Sequence, residues 1–335
     1  MPSTIKYCAT PAGRVAYSAA GSGPPLLLES GWVTHLRRQL DLFCFRTFHD
    51  RLAERFTVIR YDKPGCGLSD RDGTGLSFEA QVTAAMAVAD AVRATRFAIF
   101  GASQGGQIAA TIAARYPDRV TSLVLYGMCA NGAELAPPEV RESLVSLVKA
   151  HWGLGSKMIT GIFVHNPTAE DVDTFARMQR ESASAAVAGE LLQVYYETDI
   201  TGLLPKIRAR TAVLHREADT ATNFQLGRKV AAVVPDAEFV PLPGSGHLFY
   251  HGDWEPVLDA ALGFLAEPQP PSPVLTGREL EVARLVAEGL TNHAIATRLA
   301  VAPRTAETHV ENIRRKLNVR SRAQIATWVT EHKIS

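Results

Sequence analysis

Apolar positions along the chain follow two different periods, and the change of period divides it. Up to about residue 265, short and nearly continuous apolar runs alternate with helical patterns. The runs PPLLLES, FTVIRYD, RFAIF, VTSLVLYG, TAVLHR and AEFVPL read as strands, while 79–92, 104–115, 223–234 and 254–265 read as helices. Strands without polar alternation, separated by helices, predict a mostly parallel sheet covered on both faces. Between about 130 and 210 that rhythm stops. This stretch reads as wholly helical and apolar-rich, with Trp152, Phe163, Phe175 and Tyr195 among its large residues, and predicts a cap inserted over a pocket.

From Leu275 to the end the pattern is that of four short helices with stop signals between them. Thr276 with Glu279 three residues on is a capping box for the first helix, and Gly289 closes it. Thr291 caps a second helix ending near Leu299. Pro303 suits the first turn of a third, running to about Leu317, and Ser321 caps a fourth. In the third helix Ala306, Val310, Ile313 and Leu317 form one apolar stripe, and Arg304, Glu307, Thr308, Glu311 and Arg315 fall on the other face. A helix packed on one side, with long polar groups on the other, suits a major groove.

This segment resembles the helix-turn-helix of LuxR-type regulators, the NarL/FixJ-like class. The resemblance runs without a gap from Leu275 to Val329, through Thr276, Glu279, Gly289, Ile295, Thr305, His309, Val310, Ile313, Lys316 and Leu317. It implies double-stranded DNA as partner, with Arg304, Thr305, Glu307, Thr308, Glu311 and Arg315 as candidate contacts. Two residues depart from the family pattern. Ala302 replaces the usual capping Ser of the reading helix, which forfeits about 1 kcal/mol, and Ala306 replaces the usual Val. Glu307 and Glu311 either accept from cytosine N4 or remain solvated without a base contact.

Composition sets the frame. With 335 residues, 46% hydrophobic and 21% charged, the chain has room for about two ordinary globular domains. Net charge is +1, unevenly spread: 10 Lys+Arg against 6 Asp+Glu from Leu275 onward, and 25 against 28 before it. A basic tail on a slightly acidic body fits nucleic-acid contact by the tail, strengthened by two copies binding together. Four of the eight residues in AEPQPPSP are proline, which predicts a semi-rigid spacer. The expected domains are therefore 1–267 (cap about 130–210), a linker at 268–274, and 275–335. Cys8, Cys44, Cys66 and Cys129 show no CxxC pair or clustering with histidine, so neither metal nor cofactor is expected. The N-terminus lacks a signal-peptide core and no 18-residue apolar run exists, from which a cytoplasmic protein with no membrane association is expected.

The body carries chemistry of its own. Gly101-Ala102-Ser103-Gln104-Gly105 lies between an apolar strand and a helix, where G-x-S-x-G places a serine on a tight strand-to-helix turn. Asp219 closes Leu214-His215-Arg216-Glu217-Ala218-Asp219 after a late strand. His247 closes Gly244-Ser245-Gly246-His247 after the last. With these, the D-x-x-G-x-G-x-S turn of Asp62-Lys63-Pro64-Gly65-Cys66-Gly67-Leu68-Ser69 makes the segment from about Thr4 to Leu265 similar to α/β-hydrolases, with a cap as in small-lactone and ester hydrolases and related hormone receptors. The resemblance implies a Ser103–Asp219–His247 triad, with Glu217 the runner-up acid and His251 the runner-up base, and an oxyanion hole from the main-chain N–H groups of Trp32 and Gln104. Two departures lie close by. Ser30-Gly31 stands where the family has His-Gly, and Arg216 replaces a usual glycine and is expected to crowd the acid turn.

Three functions compete: a ligand sensor controlling the DNA-binding tail, a serine esterase or lactonase whose turnover is the main role, and a relic scaffold for dimerisation. The complete triad argues against the third, and the tethered DNA reader against the second as the main role. The expected function is a ligand-responsive transcriptional regulator, dimeric on a two-fold related site, with a small, partly apolar ester, lactone or related carbonyl compound as effector.

Overall fold

The computed structural model describes residues 4–71, 75–266, 275–317, 319 and 321–331. The chain divides into two compact units, between Glu267 and Pro268. The expected proline spacer at 268–274 lies outside the described residues.

The first unit is built on one sheet. Its strands are β1 (Lys6–Thr10), β2 (Gly13–Ala20), β3 (Pro25–Glu29), β4 (Thr57–Tyr61), β5 (Phe97–Ala102), β6 (Val120–Tyr126), β7 (Arg210–Arg216) and β8 (Glu238–Leu242). They lie in the order β1-β2-β4-β3-β5-β6-β7-β8. The β1–β2 and β2–β4 pairs are antiparallel and the others parallel. The continuous apolar runs hide a period of two. In β5, Phe97 and Ile99 join one core while Ala98 and Phe100 join the other; in β6, Leu123 and Leu125 part from Val124 and Tyr126 in the same way. Both faces are therefore buried, as strands of this composition require.

The helices are α1 (Arg38–Asp41), α2 (Phe43–Ala53), α3 (Phe78–Ala91), α4 (Gln104–Arg115), α5 (Pro138–Ala150), α6 (Trp152–Phe163), α7 (Ala169–Ser182), α8 (Ala185–Glu197), α9 (Phe224–Val233) and α10 (Glu255–Ala266). The first core takes Val82 and Val88 of α3, Ile108 and Ile112 of α4, and Val230 of α9. The second takes Phe45 and Phe48 of α2, and Val257 and Leu258 of α10. Helices α5–α8 form the insert between β6 and β7. Thr168 and Asp171 make a reciprocal capping box for α7, and Ser184 caps α8. Val148, Ile159, Val187 and Leu191 of the insert pack with Trp32 and Cys66 of the sheet domain.

The sequence pattern did not predict β1, β2, α1 or α2. Lys6–Thr10 is an edge strand, exposed or half-buried throughout, so no apolar run marks it. Among the described residues no helix is long and apolar enough to cross a membrane.

The second unit contains α11 (Gly277–Ala287), α12 (Asn292–Arg298), α13 (Pro303–Leu317) and α14 (Arg322–Glu331). Thr276 and Glu279 cap α11 reciprocally, and Gly289 follows it at φ +83°. Val282, Val286, Ile295, Ala306, Val310, Ile313 and Ile325 fill its core. Between α12 and α13, Ala300 is held at φ +52°, a left-handed conformation that its Cβ disfavours by about 1–2 kcal/mol. Ala300→Gly is expected to stabilise this unit by about 0.5–1 kcal/mol. Calorimetry of the full chain would show its transition at a higher temperature; an unchanged or lower midpoint would contradict the strain.

Candidate functional site

The turn from β5 into α4 places the candidate nucleophile. Ser103 adopts φ +54° and ψ −126°, a sparsely populated conformation for a residue with a side chain. The turn is held by Ser103 N–H donating to the Tyr126 carbonyl at 2.9 Å and by Gly106 N–H donating to the Ser103 carbonyl at 2.9 Å. Neighbouring glycines permit the close approach. A Cβ on Gly105 would lie 2.4 Å from the Glu29 carbonyl oxygen, and one on Gly101 would lie 2.6 Å from the Ala109 methyl. The hydroxyl is thereby presented at the N-terminus of a twelve-residue helix, where partial positive charge favours a developing anion.

Asp219 and His247 meet beyond the ends of β7 and β8. His247 Nδ1 lies 2.9 and 3.1 Å from the two Asp219 carboxylate oxygens. The carboxylate also accepts from the N–H groups of Ala221 at 2.8 Å and Thr222 at 3.0 Å. Burial alone would raise the Asp219 carboxyl, but the charge and hydrogen bond of His247, the Thr222 N–H and nearby His215 together hold it below its ordinary value. A carboxylate at Nδ1 fixes the proton there and leaves Nε2 as the basic nitrogen. The runner-up residues lie elsewhere: Glu217 is exposed, and His251 pairs with Asp171 of α7 at 3.3 Å.

Ser103 and His247 line one cavity, with Trp32, Val164, Phe175, Met178 and Phe249 among its other walls. Phe163 covers the His247 ring at 5.1 Å between centroids. The hydrogen-bond neighbour of Ser103 Oγ is Tyr195 of α8, whose hydroxyl stands 3.4 Å away; sequence reasoning had placed Tyr195 only as a cap residue. The cavity measures about 40 Å³, room for about three waters at ~10–15 Å³ each.

The loop after β3 is pinned by a buried cation that sequence reasoning passed over. Lys63 Nζ donates to the Gly31 carbonyl and, at 2.9 Å, to Gln104 Oε1. It therefore grips both peptides expected to form an oxyanion hole, through the residue before Trp32 and through the Gln104 side chain. Burial lowers the Lys63 ammonium to about 8, opposed by the nearby Glu29 carboxylate. Ser30, replacing the family histidine, accepts from Gln39 Nε2 at 3.0 Å, and Gln39 Oε1 accepts from Arg60 at 3.0 Å. The substitution is absorbed by a local polar network.

Arg216 corrects an expectation. It does not crowd the acid turn: its guanidinium, on a residue 1% exposed, runs beneath the loop that carries His247. Nη1 donates to the carbonyls of Gly246 at 2.7 Å and Leu248 at 3.3 Å; Nη2 donates to His251 at 3.0 Å and Asp253 at 2.9 Å. A planar fork of donors satisfies four loop carbonyls that a glycine could not.

In the second unit, Ala306, Val310 and Ile313 of α13 are buried, while Arg304, Thr305, Glu307, Thr308, Glu311 and Arg315 are exposed. A groove beside α13 is lined by Arg304, Glu307, Thr308 and Glu311, with Asn292 before it in the chain and Arg322 after it. Glu311 pairs with Arg314 at 3.2 Å and Arg315 donates to Asn312 at 3.1 Å. Lys316 reaches Glu279 at 2.6 Å, fixing the end of α13 to α11.

Residues 24–253 match the family model described as the alpha/beta hydrolase fold, and residues 273–329 match that of bacterial regulatory proteins of the luxR family. Over 247 residues, 68% of this chain and 88% of the relative, the chain is 26% identical to the pimeloyl-[acyl-carrier protein] methyl ester esterase of Chromobacterium violaceum. Over 60 residues, 18% of this chain and 28% of the relative, it is 38% identical to the nitrate/nitrite response regulator NarL of Escherichia coli. The solved enol-lactonase of Burkholderia xenovorans superposes with a TM-score of 0.67 at 19% identity, covering 78% of this chain and all of that one. The last likeness concerns the fold.

Two expected outcomes follow from these contacts. Arg216→Lys keeps the charge but loses the fork, and is expected to destabilise the first unit by about 3 kcal/mol and to slow fluorophosphonate labelling of Ser103 by loosening His247. Equal stability and labelling rate would remove the clamp from the account. On α13, Glu307→Ala or Glu311→Ala is expected to relax base preference, at about 1–3 kcal/mol per lost contact, whereas Arg315→Ala weakens all sequences alike. Randomised-site selection with both glutamates removed is the check, and unchanged preference would assign them to solvent.

Proposed function

The chain belongs to the α/β-hydrolase fold family and ends in a domain of the luxR family of bacterial regulatory proteins, and from that premise we propose a ligand-responsive transcriptional regulator. Its effector is a small, partly apolar ester, lactone or related carbonyl compound held under the α5–α8 insert. The single observation that carries this reading is that His247, paired with Asp219, lines the same cavity as the strained Ser103, in a chain whose other unit is a DNA reader. The Chromobacterium relative named as a methyl ester esterase supports the ligand class.

The chemistry proceeds as acyl transfer. Ser103 Oγ attacks the carbonyl as its proton passes to His247 Nε2, and Asp219 stabilises the resulting imidazolium. The N–H groups of Trp32 and Gln104 receive the oxyanion. The C–O bond to the leaving alkoxide then breaks, His247 returns the proton to it, and the acyl group remains on Ser103 until water repeats the sequence. For Ser103 to meet His247 its hydroxyl must turn from Tyr195, which links the first chemical event to a helix of the insert. Two copies of the chain bind a two-fold related DNA site through α13, and movement of the insert alters the spacing of the two reading helices.

A ligand shifts DNA affinity only through unequal affinity for the competent and incompetent arrangements. The expected change in affinity for selected DNA sites is about 1–3 kcal/mol when a panel of small lactones and methyl esters is tested. Ser103→Ala responds equally if occupancy is the signal, and binds but stays silent if acylation is. The completeness of the Asp219–His247 pair favours a second reading, a serine esterase or lactonase in its own right. Rapid turnover of a compound that leaves wild-type DNA affinity unchanged would decide for that reading.

A further inference from the structure

A residue on the wall of the cavity beside Ser103 carries a buried polar atom that the surrounding protein leaves unpaired. Gln179 of α7 is 3% exposed and lines the cavity. Its Nε2 donates to the Ser156 carbonyl at 3.1 Å, to Thr160 Oγ1 at 2.9 Å and to the Phe175 carbonyl at 3.4 Å. The Thr160 hydroxyl in turn donates to Ser156 at 2.8 Å, so its oxygen is an acceptor for Gln179. Three acceptors surround one end of the amide, and exchanging its nitrogen and oxygen would set oxygen against oxygen. The orientation is therefore fixed, with Oε1 turned away from those three groups. Among the described residues Gln179 Oε1 has no hydrogen-bond partner.

Two other polar side chains on the cavity wall, Gln39 and Thr160, are engaged. Gln39 donates to Ser30 and accepts from Arg60, and Thr160 both donates and accepts. A buried amide oxygen without a donor is destabilising, and such an atom on a residue of the cavity wall favours a ligand whose donor reaches it. The demand is opposite to that of the carbonyl under attack. That carbonyl needs donors, which Trp32 and Gln104 would supply, whereas Gln179 Oε1 offers an acceptor. The two must be met by different groups of one ligand.

We infer that the compound acting at Ser103 carries, apart from its ester or lactone carbonyl, a hydrogen-bond donor of hydroxyl or amide N–H type, and that Gln179 Oε1 is the residue atom that selects it. The inference rests on the serine-hydrolase reading of the site proposed above. Trp32, Val164, Phe175 and Met178 line the same cavity and require the rest of that ligand to be apolar. Because Gln179 lies on α7, the donor ties the ligand to the insert, while the carbonyl ties it to the sheet domain.

The test uses the full chain and paired p-nitrophenyl esters of straight-chain acids, each pair carrying a hydroxyl or a methyl group at the same carbon, stepped along the chain. kcat/KM is measured for wild type and Gln179→Met, and the same preparations are reacted with an alkyl fluorophosphonate and weighed intact. At one carbon the hydroxyl ester is expected to exceed its methyl partner by about tenfold or more in wild type. In Gln179→Met that preference is expected to vanish or reverse, with the circular dichroism spectrum and the labelling of Ser103 retained. If Gln179→Met fails to fold, the wild-type series decides alone. Labelled wild type that treats every pair equally, zero turnover included, overturns the inference and leaves the nucleophile standing. Absence of both labelling and turnover removes the serine-hydrolase reading, and the inference with it.

Discussion

A serine held at φ +54° between β5 and α4 is the constraint around which the first unit is arranged. The conformation is unfavourable in isolation, by the order of 1–3 kcal/mol, so its surroundings must overdetermine it. They do so by packing. Gly101 and Gly105 let α4 close onto β3 and β5 at distances that no side chain permits, and the Ser103 N–H is tied to the end of β6. The parallel order of β3, β5, β6 and β7 then brings the loops after each strand to the same edge of the sheet. Trp32, Asp219 and His247 arrive there from sequence positions up to about two hundred residues apart.

Buried cations finish what the strands begin. Lys63 and Arg216 are both enclosed: Lys63 donates to the Gly31 carbonyl and to the Gln104 side chain, and Arg216 donates to four loop carbonyls. A carbonyl has no means of holding another carbonyl, so loops that converge on a cavity need donors from outside themselves. Lys63 holds the loop before Trp32, and Arg216 holds the loop bearing His247. The geometry of the proposed site thus depends on two charges that do not face the ligand.

Much of this was legible in the sequence, for identifiable reasons. The apolar runs of β3 to β8 and the capping signals at Thr276 and Thr291 are local, and local patterns survive in a single chain. The serine turn was legible because strain demands glycines at fixed spacing, and the α13 stripe because Ala306, Val310 and Ile313 must share one face. β1 was not legible, since an edge strand such as KYCAT lacks a buried run. Nor were the roles of Lys63, Gln179, Tyr195 and Arg216. Each acts on groups distant in sequence, and Arg216 in particular was expected to crowd the acid turn, whereas it supports the loop that carries His247. Side-chain direction, unlike periodicity, is decided only after the chain has folded.

The proposed regulator works only if occupancy at Ser103 reaches the DNA. Ser103 lines a cavity of about 40 Å³, and the Tyr195 hydroxyl of α8 stands 3.4 Å from the hydroxyl that must react, so modification of Ser103 is expected to displace Tyr195 and with it the insert. The direct measurement is the affinity of the full chain for a selected DNA site before and after stoichiometric phosphonylation of Ser103 by an alkyl fluorophosphonate, with Ser103→Ala treated in parallel. The account predicts a change of about fivefold or more in the modified wild type and none in Ser103→Ala. Complete modification of Ser103 with unaltered DNA affinity would contradict it.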